Sequence, residues 1–163
     1  MKKEYVWDIF VRAFHWALVI CVIANFFVRE DSLEHMWIGY TAVGLIAARL
    51  LWGIIGTKYA RFANWFPTPG RLYRYVTKKD PEPLGHNPVG ALMMLTLMAL
   101  ILILGYTGYT MYLPGFDDDA QEWVEELHEG AANAVLILGG IHGLVALFKR
   151  QISGMITGWK PVK

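Results

Sequence analysis

Four apolar stretches dominate this chain, at about residues 9–28, 37–56, 89–112 and 130–148. Each is close to the roughly 20 residues that a helix needs to cross a hydrocarbon core. Lipid offers no partners to backbone N–H and C=O groups, so a spanning segment must satisfy its own hydrogen bonds. Continuous runs of this length predict helices. Composition agrees, with 55% of residues hydrophobic and only 18% charged, against roughly 25% in soluble domains. The first run passes signal-peptide length without a small-residue cleavage site, and no internal repeat is visible. The expected fold is all-α, an integral membrane four-helix transmembrane bundle forming one domain over 1–163.

Charge placement orients it. The N-terminal segment holds Lys2, Lys3 and Arg12, and the connection 57–88 adds Lys58, Arg61, Arg71, Arg74, Lys78 and Lys79 against Asp80 and Glu82. The tail contributes Lys149, Arg150, Lys160 and Lys163, so 13 of the 15 basic residues fall on one side. The other two connections are acidic: 29–35 sets Arg29 against Glu30, Asp31 and Glu34, and 117–129 carries seven acids and no base. The positive-inside rule puts both termini in the cytoplasm, with no nucleic-acid partner expected.

Five histidines then stand out: His15, His35, His86, His128 and His142. Ionisable side chains are costly in a membrane helix and usually have a task. His128 and His142 are fourteen residues apart, about 40° short of four full turns, so they share a face at a separation of roughly 21 Å along the axis. Span direction puts His15 and His142 near the cytoplasmic side, and His35 and His128 near the outer side. Two pairs at two depths result. Neutral imidazole is a common metal ligand, and two axial imidazoles saturate a haem iron, which suits electron transfer. Zinc fits poorly, because it takes three or four protein ligands at one point, and HEGAA at 128–132 lacks the second histidine of HExxH. Structural hydrogen bonding and proton relay remain as alternatives.

Two features favour haem. Gly130, Gly139, Gly140 and Gly143 flank the histidines of the fourth span, with Gly39, Gly44 and Gly53 in the second and Gly105 and Gly108 in the third. Small residues give a flat ligand room, although they also permit close helix packing. Arg49 lies fourteen residues after His35, on the same face and level with the inner pair. A guanidinium there would meet a haem propionate, or else snorkel to the inner interface.

VWDIFVRAFHW, HMWIGYTAVGLIAARLLWGIIGTKYARF, LGHNPVGALMML and ELHEGAANAVLILGGIHGL together resemble the bacterial di-haem cytochrome b family. That group contains the b-type cytochrome subunits of membrane-bound nickel–iron hydrogenases and the prokaryotic cytochromes b561. The resemblance runs over about residues 5–158. It implies axial ligands at His15, His35, His128 and His142, two non-covalent haems b, and electron exchange between the quinone pool and a periplasmic redox partner such as a cytochrome c, a hydrogenase or a dehydrogenase.

Lesser features complete the reading. Asn87 is expected to cap the third span with Pro88 at its first position. Alternatively, His86 and Asn87 hold a quinone or a propionate beside the inner haem, with His86 exchanging the accompanying proton. Cys21 reads as a small core residue. The acids of DDDAQEWVEELHE favour a helix start and offer a docking surface to a basic partner. TPGRLYRYVTKK, 68–79, reads as an interfacial amphipathic helix. Trp7, Trp52, Trp65 and Trp159 on one side, with Trp37 and Trp123 on the other, read as interfacial belts. No catalytic residue is expected beyond an electron-transfer role. A relay cytochrome without a quinone site, or a small transporter with a histidine proton relay, is the competing reading.

Overall fold

The computed structural model describes residues 2–81, 83–115 and 117–162; Glu82 and Lys163, counted above in the charge asymmetry, lie outside them. Four long helices match the four apolar runs: α1 (Ile9–Phe27), α2 (Leu33–Ile55), α5 (Pro88–Thr110) and α6 (Asp118–Phe148). Short helices α3 (Phe62–Trp65) and α4 (Pro69–Val76) lie between α2 and α5, and α7 (Ile152–Thr157) follows α6.

Local chemistry sets the starts of the long helices. Asp8, Ser32, Asn87 and Asp117 each stand at an N-cap and accept a hydrogen bond from a backbone N–H three residues on, relieving the unpaired donors of the first turn. Asn87 makes this bond to Gly90 at 2.7 Å, with Pro88 at the first helical position, as expected. Ser32 caps α2 through the backbone N–H of His35 itself. At 31 residues, α6 is about 46 Å long and exceeds a core of ~30 Å, so its acidic first turns project beyond the lipid. Thr68 caps α4, confirming a short helix within 68–79.

One feature lies outside the all-α expectation. β1 (Lys3–Tyr5) and β2 (Trp159–Pro161) form a short antiparallel pair that ties both termini to the basic end of the bundle. Gly158 makes the junction. It ends α7 with φ +85°, and its carbonyl accepts from the N–H of Val6 and Trp7. An added Cβ would fall 2.7 Å from the Trp7 oxygen, so this left-handed position requires glycine.

Packing runs in a chain. α1 packs on α2, α2 on α5 and α5 on α6, around a core of Phe14, Ala42, Ile46, Met98, Ile101 and Val135. α6 has no extensive contact with α1 or α2. Two glycines serve this packing instead of opening space: a Cβ on Gly105 would meet Val43 Cγ2 at 2.3 Å, and one on Gly53 would overlap the Phe62 ring. At Gly44, Gly130, Gly139, Gly140 and Gly143 an added Cβ meets nothing within 4 Å.

The belt expectation needs correction for two tryptophans. Trp7 and Trp65 are both 6% exposed and pack inside the basic end, whereas Trp37, Trp123 and Trp159 are exposed.

Candidate functional site

The four intramembrane histidines come together in the two expected pairs. His15 of α1 faces His142 of α6, and His35 of α2 faces His128 of α6; both pairs have ring centroids 6.3 Å apart, with interplanar angles of 51° and 52°. A direct N–H···N bond of about 2.9 Å would bring the centroids to about 5.1 Å. Two imidazoles bound to opposite sides of one metal at about 2.0 Å each give about 6.2 Å. The observed gap fits a metal between the rings. Among the described residues no three His, Cys, Asp or Glu side chains converge to hold a metal ion, and a donor set of two imidazoles fits a metal that brings its other ligands with it, as in haem.

The surroundings fit a large flat group. Each pair bridges two helices that do not pack closely on one another. A cavity of about 860 Å³ surrounds His35 and His128, bordered by Cys21, Gly39, Gly105 and Gly108 and edged by Glu30, Asp31, Glu125 and Glu129. Cys21 thus lines this cavity as well as touching the core. His128 Nδ1 lies 2.8 Å from Thr107 Oγ1, a contact that spacing in the sequence does not reveal.

At the basic end, Arg49 is 1% exposed, so it does not snorkel into the interface. Its Nη2 donates to the Ala60 carbonyl at 3.1 Å, and its Cζ lies over the rings of Phe62 and Trp65, 5.0 and 5.9 Å from their centroids. Its Nη1 and Trp65 Nε1 are buried without a hydrogen-bond partner among the described residues. Two enclosed donors without acceptors are expensive and fit an incoming carboxylate. The nearest acid, Asp8, is occupied: it accepts from the Val11 N–H at 2.8 Å, Trp52 Nε1 at 3.1 Å and Thr57 Oγ1 at 2.6 Å. Burial alone would raise the Asp8 pKa, but those donors and the Arg49 charge outweigh it and hold it below the usual value.

His86 sits between Trp7 and Trp65, at centroid distances of 4.5 and 4.6 Å. Enclosure, together with the charges of Arg49 and Lys160, pushes its pKa down to about 3. That enclosure favours the neutral imidazole. Asn87 spends its Oδ1 on the helix cap.

Comparison with known proteins gives a consistent set of relatives. The family described as prokaryotic cytochrome b561 matches residues 6–158. A probable Ni/Fe-hydrogenase B-type cytochrome subunit of Rhodobacter capsulatus is 24% identical over 214 aligned positions, covering 98% of this chain and 82% of that protein. Its counterpart in Azotobacter vinelandii is 22% identical, over 76% of this chain and 64% of its own length. The probable Ni/Fe-hydrogenase 1 B-type cytochrome subunit of Escherichia coli K12 is 20% identical, over 68% and 60%. The chain thus spans less than two-thirds of the last two. No solved structure matches it.

Proposed function

The chain belongs to the prokaryotic cytochrome b561 family, and from that premise we propose that it holds two haems b, each between two histidines, and relays electrons between a periplasmic redox partner and membrane quinone. The coarser statement follows from family and fold: this is a multi-pass membrane cytochrome of b type that binds haem and transfers electrons. The observation that carries the finer reading is the equal 6.3 Å spacing of the two histidine pairs, each between helices that stand apart. When bound, haem supplies one-electron chemistry at its iron, and the protein supplies ligation, orientation and electrostatics.

In this reading His15 and His142 hold the inner group, and His35 and His128 the outer. Arg49 Nη1 and Trp65 Nε1 bind an inner propionate, which gives the buried guanidinium a counter-charge beyond Asp8. The acidic end, with Glu30, Asp31 and the first turns of α6, receives a partner with a basic surface. The relatives' names make a Ni/Fe-hydrogenase the first candidate, and a dehydrogenase or cytochrome c would use the same face. Quinone exchanges electrons at the basic end, beside His86 and Asn87. His86 would hydrogen-bond a quinone carbonyl as a neutral imidazole, and the proton would come from solvent.

A pyridine haemochrome assay on purified protein is expected to give two haems per chain, both low-spin. His35→Ala and His128→Ala should each lose one haem, and His15→Ala and His142→Ala the other. A ratio of one, or loss of the same haem in His35→Ala and His142→Ala, would overturn the arrangement. A colourless protein would favour the proton-relay transporter. Replacing His86 with Leu should slow quinone-linked turnover about tenfold, the loss of one hydrogen bond of about 1.4 kcal/mol, with both haems retained. Normal turnover in that variant would favour a relay cytochrome without its own quinone site.

A further inference from the structure

Among the described residues, Thr107 makes the one side-chain hydrogen bond that reaches an axial-ligand candidate from a neighbouring helix, at His128. Thr107 is 1% exposed. Its Oγ1 lies 2.8 Å from the Ile103 carbonyl and 3.2 Å from the Leu104 carbonyl. Carbonyl oxygens only accept, and a threonine hydroxyl has a single hydrogen. That hydrogen is therefore committed to its own helix, and the oxygen offers only lone pairs to His128 Nδ1 at 2.8 Å. The proton of this contact resides on the imidazole. Nδ1–H donates to Oγ1, with the Leu104 carbonyl as a second acceptor nearby, which leaves Nε2 as the unprotonated nitrogen of a neutral ring. Gly108, next in the chain, lies against the same ring: a Cβ there would make ordinary contact with His128 Cε1 at 3.4 Å.

Two of the other three paired histidines differ. His15 Nδ1 and His35 Nδ1 are buried without a hydrogen-bond partner among the described residues. An acceptor on the far nitrogen of a ligating imidazole fixes its tautomer and raises its basicity. A more basic axial ligand favours the oxidised, more positive iron centre.

We propose that Thr107 is a positioning residue that selects the Nε2-ligating tautomer of His128 and lowers the midpoint potential of the outer haem relative to a site without that acceptor. The inference rests on the two-haem reading above. It gives the acidic-end site a built-in source of asymmetry, independent of the surface acids.

The test is a redox titration of the purified holoprotein and two variants, with the two potentials assigned from the single-haem histidine variants. Thr107→Val keeps the shape and removes the acceptor. It should shift the outer haem upward in potential, leave the inner haem in place, and alter the low-spin ferric EPR signal of the outer haem alone. Thr107→Ser, which keeps the hydroxyl, should restore both potential and signal. An unshifted outer potential would overturn the proposal and show that the nearby Leu104 carbonyl suffices; so would equal shifts at both haems. If the valine variant loses the outer haem, wild-type behaviour of the serine variant still supports the hydroxyl's role, and loss in both variants overturns it. Wild-type protein containing fewer than two haems would remove the underlying reading itself, an outcome distinct from two haems with an unmoved potential.

Discussion

Arg49 is where burial and charge conflict most directly. A guanidinium at 1% exposure loses most of its hydration, an effective penalty of several kcal/mol per ion unless partners compensate. The Ala60 carbonyl and the faces of Phe62 and Trp65 compensate in part, and Nη1 awaits an acceptor. Replacing Arg49 with Leu should lower the inner haem's midpoint potential, because a nearby positive charge favours the reduced centre. A tenfold change in the one-electron equilibrium, about 59 mV, is the expected scale. The outer haem, roughly 21 Å away along the axis, should move far less, and equal shifts would refute the inner placement. Asp8 supplies a second test at this scale. Its folded pKa lies below the ordinary value of 3.8, so its contribution is present above that value and lost as pH falls through the folded one. Asp8→Asn should therefore cost about 1 kcal/mol near neutral pH, and the difference should shrink as pH falls below 3.8 in thermal melts of detergent-solubilised protein.

Among the helices, α5 acts as the spine, and α6 carries one histidine of each pair. α5 touches both α2 and α6, and Gly105 sets its distance from α2. Gly105→Ala would put a methyl 2.3 Å from Val43 Cγ2. Overpacking of this kind costs typically 1–3 kcal/mol, so the melting temperature should drop with haem content unchanged in what folds. Gly139 behaves oppositely. It lies three residues before His142, on the helical face of the buried Ala131 and Val135, where an added Cβ meets nothing. Gly139→Leu should improve helix propensity by a few tenths to 1 kcal/mol and yet exclude the inner haem. Retention of two haems in that variant would show that the space beside Gly139 holds no cofactor.

At the scale of the whole molecule, the two histidine pairs span the seams that direct helix packing leaves thin. α6 is held to the bundle through α5, and a ligand bonded to α6 on one side and to α1 or α2 on the other would close both gaps. A group that binds only the folded state stabilises it by mass action. Haem-depleted protein should then show faster proteolysis in segments 111–115 and 149–151, which flank α6, with protection restored by added haem. Equal cleavage with and without haem would indicate that α5 alone fixes α6. The terminal clip of β1 and β2 should be indifferent to haem, because its bonds lie at the basic end among backbone groups.

Much of this was already determined by the sequence. Span number and boundaries follow from hydropathy, because lipid admits few alternatives to a helix, and the caps at Asp8, Ser32, Asn87 and Asp117 are local chemistry. The histidine pairing followed as well, since fixed helical rise turns residue number into depth. Only the tertiary structure decided what those depths leave open, namely which side chains meet around the helices. Trp7 and Trp65 read as interfacial aromatics, and instead they flank His86 on two sides because the 57–65 segment packs against the end of α2. The pKa of His86 fell with that enclosure, which no residue spacing encodes. Gly53 and Gly105 look like any other small residues in a span, but their space is filled by Phe62 and Val43. Thr107 meets His128 across 21 residues of chain because α5 and α6 pack in one register, and that register is a property of the assembled helices.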